Sequence, residues 1–386
     1  MENQTQATNQ IYLDNAASAP ILKEVVEVMS DSMLNFHGNP SAIHQAGRKS
    51  KSIIEKARKN IAKHFNAQAS EIIFNSGGTE GDSQILINAV ENLGVTKIIS
   101  SKIEHHAVLN TLLHLKKKHE FLDLEWVVVD EDGGIDYDHL ATLLANTESK
   151  TLVSLMTVNN EIGNMLDLEK VSKLCKDYHA YFHTDAVQAV GHFNIDVEKT
   201  PIDFLVASSH KFHGPRGVGF VYIKKGIPVD PILFGGSQEK GVRPGTENVA
   251  GIIGMEKALE ISMNSLEDHA FKVLELKKHL IGELNVLGDF KFNGKSGSLE
   301  ESSYTILSVR FPVENSLLLF ELDLKGIAAS GGSACQSGST KGSHVLGEIL
   351  SPEEASKTSI RFSLSKLNTK DEIDHLVKII AQVLKK

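Results

Sequence analysis

The sequence predicts an α/β protein: a doubly wound, mostly parallel sheet followed by a smaller α+β unit. Three observations predict it. From Ile11 to about Ile223, short β-rich runs alternate with amphipathic helical patterns, the rhythm of strand–helix–strand units whose strands lie side by side. Runs such as Phe204-Leu205-Val206-Ala207 are continuously apolar, as strands covered on both faces are. After Pro244 the rhythm changes. Asn248 to Leu287 holds no proline and returns apolar residues every three to four positions, a long helical stretch with a break near Asn264.

Seven strands are expected in the first unit: Glu71–Asn75, Lys97–Ser101, Leu124–Asp130, Thr151–Val158, Tyr181–Thr184, Phe204–Ala207 and Gly219–Ile223. Helices fill the intervals. Ile53, Ile54, Ala57 and Ile61 share one face of a helix between about Ser41 and His64, and Val171, Leu174 and Cys175 mark another. The second unit offers strands near Thr305–Phe311 and Ser359–Ser363, and helices near Glu314–Leu324 and Lys370–Lys385. The Gly/Ser-rich stretch Ala328 to Gly342 reads as a mobile loop. The expected division is a large unit over residues 15–260. Residues 1–14 and 261–386 form the small one, which carries loop 328–342.

Composition narrows the function. The chain has 386 residues, 41% hydrophobic and 23% charged, as ordinary globular proteins have. A net charge of -9 argues against broad binding to nucleic acid or to an anionic membrane. No apolar run approaches the roughly 20 residues that span a bilayer. Met1 to Gln10 lacks the apolar centre of a secretory signal. Two cysteines, Cys175 and Cys335, make a disulfide framework improbable; a reducing, cytoplasmic location is expected. No metal-ligand spacing occurs among the 17 histidines, so no metal is expected.

The chemistry concentrates in four places. Ser208-Ser209-His210-Lys211 ends an apolar strand and leads into a glycine-rich turn. A lysine at a strand end, beside phosphate-binding groups, is placed to form a Schiff base with a carbonyl cofactor. Asp185 closes the strand Tyr181–Thr184 and so faces the crevice where α/β folds bind ligands. There a carboxylate can keep a pyridine nitrogen protonated, with Gln188 three residues on. Ser76-Gly77-Gly78-Thr79 joins a strand to a helix, and a helix N-terminus with glycines makes a cup for a small phosphate. Thr79 and Asp82 are also spaced for a capping arrangement. No dinucleotide or ATP fingerprint follows that strand. Finally, Cys335 lies in a Gly/Ser-rich loop, unlike Cys175, which sits on the apolar face of a helix. Exposed cysteines of lowered pKa react, and buried ones are inert.

In this combination the chain resembles the class V aminotransferase group of pyridoxal-phosphate enzymes, and more narrowly the cysteine desulfurases of the NifS/IscS type. The resemblance rests on Tyr12-Leu13-Asp14-Asn15-Ala16-Ala17, Gly38-Asn39-Pro40-Ser41, Ser76-Gly77-Gly78-Thr79-Glu80, Glu104-His105-His106-Ala107-Val108 and Val158-Asn159-Asn160-Glu161-Ile162-Gly163. It continues through Asp185-Ala186-Val187-Gln188, Ser208-Ser209-His210-Lys211, Arg243-Pro244-Gly245-Thr246-Glu247-Asn248, Gly332-Ser333-Ala334-Cys335 and Ile360-Arg361-Phe362-Ser363. It implies the aminotransferase-like fold and pyridoxal 5'-phosphate as cofactor. Lys211 would hold the cofactor covalently, Asp185 would pair with its ring nitrogen, His105 would stack on the ring and Gln188 would bond its hydroxyl. Gly78, Thr79, Ser208 and His210 would bind the phosphate, and Thr246 would reach it from the partner in a homodimer. Asn160 and Arg361 would hold the substrate carboxylate, a task that suits a guanidinium fork.

The implied reaction takes sulfur from L-cysteine, releases L-alanine and leaves a persulfide on Cys335. That sulfur is handed to an acceptor protein, an iron–sulfur scaffold or a sulfur carrier. Lys211 and His105 join Cys335 as the implied catalytic residues. A selenocysteine lyase or another class V aminotransferase is the alternative; the latter needs no nucleophilic cysteine. The chain departs from the family at Lys341-Gly342, where an acidic-proline pair is common, and near Ser83 and Gln84, where Asn is common.

Overall fold

A computed structural model describes residues 10–146, 149–331 and 342–384. Cys335 and most of the predicted loop lie outside the described residues. The strands are β1 (Ile11–Tyr12), β2 (Ile72–Asn75), β3 (Lys97–Ser100), β4 (Asp123–Trp126), β5 (Thr151–Ser154), β6 (Tyr181–Asp185), β7 (Phe204–Ser208), β8 (Gly219–Ile223), β9 (Lys291–Phe292), β10 (Ile306–Arg310), β11 (Ile327–Ala328) and β12 (Ser359–Ser363). The helices are α1 (Lys23–Asn35), α2 (Gln45–Lys63), α3 (Gly78–Glu91), α4 (His106–Lys118), α5 (Tyr137–Ala145), α6 (Leu168–Asp177), α7 (Val249–Asn264), α8 (Leu266–Leu287), α9 (Leu318–Leu324), α10 (His344–Ile349), α11 (Pro352–Ser356) and α12 (Lys370–Leu384).

The predicted seven strands form one sheet in the order β2-β8-β7-β6-β5-β3-β4. Only β8 runs against its neighbours, β2 and β7; every other pairing is parallel. The continuous apolar runs are explained by burial. All residues of β2, β3, β5, β7 and β8 are buried, because helices cover both faces. One core joins α2, α7 and one face of the sheet, and another packs α3 and α4 on the opposite face. Successive strands run outward from β3 to β4, then back through β5, β6 and β7. The strand order therefore reverses between β3 and β5, where α/β folds open a ligand crevice.

A separate core gathers Ile11 and Leu13 with α8, β10, β12 and α12. Its three-stranded antiparallel sheet has the order β12-β10-β9. The long helical stretch does break, at Ser265, between α7 and α8. Several predicted elements ran long. The predicted strands to Asp130 and Val158 end at Trp126 and Ser154, and the helix expected from Glu314 begins at Leu318. Beyond Ser154 the chain stays apolar but turns into the crevice. The Asn315 side chain accepts from the Leu317 amide at 2.9 Å and fixes a turn before the helix. Among the described residues no helix is long and apolar enough to cross a membrane.

Candidate active site

The crevice at the strand-order reversal holds a pocket of about 370 Å³. Ten of the residues predicted from sequence line it together: Gly78, Thr79, His105, Asn160, Asp185, Gln188, Ser208, His210, Lys211 and Arg361. Most arrive at or near a strand end or helix start, whereas Asn160 lies in a turn and Arg361 in the middle of β12. Lys211 closes a short 3-10 turn directly after β7. Its Nζ donates to the carbonyls of Ala16 at 2.6 Å and Ala17 at 3.0 Å, so the N-terminal strap aims the amine across the pocket. Gln188 Nε2 donates to the same Ala16 carbonyl at 2.8 Å.

Asp185 is the last residue of β6 and is buried. Its Oδ1 accepts from the Val187 amide at 2.9 Å. Burial pushes its carboxyl up, while His105 and Lys211 pull it back. His105 is the N-cap of α4 and its Nδ1 accepts from the Ala107 amide at 3.1 Å. With that lone pair engaged, the neutral ring carries its proton on Nε2. Burial, more than Lys211, holds the imidazole below its usual pKa, so neutral is its resting form.

The phosphate cup is built differently from the prediction. Gly77, not Thr79, is the N-cap of α3, and no side chain caps the helix. The opening amides of the helix are thus left to a ligand. Gly77 has φ +140, which favours glycine, and a Cβ there would meet Ser208 Oγ at 3.2 Å. Asp82 is not a cap. It is 1% exposed and lines the pocket, its Oδ1 lying 3.4 Å from His183 Nε2. Neither carboxyl oxygen has a hydrogen-bond partner among the described residues. Burial, then Asp185 and Glu104, raise this carboxyl well above the usual range, while burial drives His183 down to about 3. Burial thus works against charge on either partner. Burial also holds His210 down at about 4.

Arg361 comes from β12, in the other core. It donates to the Asn160 carbonyl at 2.7 Å and to Asp14 Oδ1 at 2.9 Å, while its buried Nε has no partner among the described residues. Sequence reasoning gave Asp14 and His183 no role and read Asp82 as part of a cap; no spacing signal links Asp14 to Arg361. Thr246 does not enter this pocket. It is exposed and borders a neighbouring depression of about 210 Å³, beside Ser76 and Gly217. Cys175 packs in the core with its thiol pushed up by burial.

This donor set suits pyridoxal phosphate. An amine, a buried carboxyl on β6 and an imidazole surround one end, and an uncapped helix start with Ser208 and His210 marks the other. Among the described residues, no cluster of His, Cys, Asp and Glu could hold a metal.

Comparison with known proteins agrees with this arrangement. The family model described as aminotransferase class-V matches residues 11–376. The cysteine desulfurase IscS of Dictyoglomus turgidum is 41% identical over 382 residues, covering 98% of this chain and 95% of that protein. A solved NifS-like protein superposes with a TM-score of 0.89 at 35% identity, covering 97% of this chain and 99% of its own. SspA, solved in complex with cysteine, superposes at 0.78 with 30% identity, covering 93% and 99%. Fold and pocket define an enzyme of the aminotransferase-like kind. The chain belongs to the class-V aminotransferase family.

Proposed function

We propose that the protein is a cysteine desulfurase that uses pyridoxal 5'-phosphate. The observation that carries this reading is the convergence of the predicted side chains in one pocket. Lysine, buried aspartate, neutral histidine, uncapped helix start and carboxylate-binding arginine converge there from the large sheet and from β12 of the small core. Relatives named cysteine desulfurase span nearly the whole chain. The same convergence supports a division into units 15–260 and 1–14 with 261–386.

When bound, pyridoxal phosphate supplies an electron sink for a carbanion at the substrate Cα. The chain supplies the rest. Asp185 holds the ring nitrogen in its protonated form, and Gln188 bonds the ring hydroxyl. Gly78, Thr79, Ser208 and His210 hold the phosphate, joined by Thr246 of a second copy in a homodimer. Arg361 and Asn160 hold the L-cysteine carboxylate. The amine of Lys211 takes the proton from Cα. His105, neutral and protonated on Nε2, is placed to move a proton to or from the substrate. The Cys335 thiolate attacks the substrate sulfur: the S–S bond forms, the C–S bond breaks, and its electron pair is protonated to give L-alanine. The Cys335 persulfide then passes sulfur to an acceptor in the cytoplasm, in iron–sulfur cluster assembly or another sulfur-transfer route.

Cys335→Ser tests the last steps. The variant should keep the visible absorption of the bound cofactor and still bind cysteine, yet produce no alanine catalytically. Full turnover would remove the nucleophile role. A wild-type protein that is colourless and cannot be loaded with pyridoxal phosphate would overturn the reading entire.

A further inference from the structure

Between β8 and α7 the backbone makes an uncommon turn. Glu239 (φ 46, ψ 45), Lys240 (φ 60, ψ 25) and Gly241 (φ 83) are left-handed in succession. Only the third is a glycine, so the first two are strained. Strain of this kind persists where surrounding contacts over-determine it, and it collects at functional sites.

The contacts are present. Arg58 and Glu239 are both buried and meet as a two-pronged ion pair at 2.7 and 2.6 Å. Arg58 also donates to the Ile72 carbonyl at 2.8 Å and lies over the Phe74 ring at 4.5 Å. The Phe74 amide donates to Glu239 at 2.8 Å, and Lys240 Nζ to the Ser70 carbonyl at 2.9 Å. The turn is thereby bolted to β2, the strand that leads into the phosphate cup. Downstream, Gln84 Nε2 donates to the Val242 carbonyl at 2.8 Å and Arg243 Nε to Glu80 at 2.8 Å, both on α3. The anchored stretch then ends in exposed Gly245 and Thr246, and Thr246 has no hydrogen bond among the described residues.

A segment this firmly held, ending in an unpartnered hydroxyl just outside its own pocket, is built to present that hydroxyl. We propose that the Arg58–Glu239 ion pair is a positioning device that locks the left-handed turn so that Thr246 reaches the phosphate bound by a second copy of this chain. The inference rests on the proposed cofactor and homodimer, and it assigns Arg58 and Glu239 no contact with either.

Mixed dimers test it. In each, one copy keeps Lys211 and the other carries Lys211→Ala, so only the first copy's site shows the absorption of a lysine-bound Schiff base. Glu239→Gln is placed in either copy, and release of pyridoxal phosphate from the Lys211-bearing site is timed. With Glu239→Gln in the Lys211→Ala copy, release should quicken about ten- to a hundredfold, the cost of one lost phosphate contact. With Glu239→Gln in the Lys211-bearing copy, release should match the control dimer. Bound pyridoxal, which lacks the phosphate, should leave all dimers at one rate. Should Glu239→Gln not fold, Arg58→Met with Glu239→Leu removes both charges without stranding either and should give the same pattern. Acceleration that follows the Lys211-bearing copy, or none in either arrangement, overturns the inference. A wild-type protein that is monomeric or holds no cofactor instead overturns the function on which it rests.

Discussion

Lys277 is fully buried in the smaller core and pairs with no acid among the described residues. Its Nζ donates to Ser302 Oγ and to the Ser303 carbonyl, each at 2.8 Å. Burial lowers its pKa to about 7, whereas the unfolded chain keeps the ordinary value near 10.4. Between these values the unfolded state binds more protons than the native state, so stability rises with pH. Urea unfolding from pH 7 to 10 should show wild type gaining on the order of 2–3 kcal/mol relative to Lys277→Met. Parallel pH profiles would refute the assignment. Asp82 has the opposite sign. Its carboxyl is raised, so its contribution is complete at low pH and lost as pH climbs from about 3.9 toward the native value. Asp82→Asn keeps the neutral shape. Its stability measured against wild type should improve from pH 4 to 7, and the absorption of the bound cofactor should be unchanged. A variant that loses cofactor would mean that Asp82 is needed as an anion.

The start of α3 shows why an element's end can matter more than its length. Gly77→Ala forces a side chain into φ +140 and toward Ser208 Oγ. Gly94→Ala, at φ +70 with open space around its Cβ, carries backbone strain alone. Both should cost about 1–3 kcal/mol in unfolding, but only Gly77→Ala should also weaken binding of pyridoxal phosphate, by tenfold or more. Equal loss of cofactor from both would mean that the cup geometry is irrelevant. The glycines were legible in the sequence; the uncapped helix start was not, because Thr79 and Asp82 had the spacing of a cap. Asp82 is instead drawn inward to His183, which sits a strand away. Buried strands such as β7 and β8 announced themselves by nearly unbroken apolar runs. The two-residue β1, β9 and β11 could not, since no periodicity fits in two positions. Asp14 and Arg361 were likewise separated by 347 positions, a distance over which a single sequence carries no pairing signal. The lysine, aspartate and cup stood out because each ends a recognisable strand or begins a recognisable helix.

The pocket lies between the large sheet with its helices and the small core, and residues 14–18 strap the two together. The Ala16 amide donates to Ser363 Oγ at 2.8 Å, on the small-core side, while the Ala16 and Ala17 carbonyls accept from Lys211 and Gln188 on the other. Arg361 crosses the same boundary to Asn160. Further links run from Tyr304 to the His192 carbonyl at 2.9 Å and from the Ser303 amide to the Gly163 carbonyl at 2.8 Å, and a ligand held by both sides adds to this coupling. A ligand that binds only the native state stabilises it by mass action. Calorimetry should therefore give one transition for the protein loaded with pyridoxal phosphate and cysteine, at higher temperature. The cofactor-free protein should give a lower, broader or split transition, with the large core losing most. Hydrogen exchange should locate the difference in residues 14–18, 159–163 and 359–363. Identical transitions and identical exchange in those three segments would show that the cores fold as one unit without help from the site.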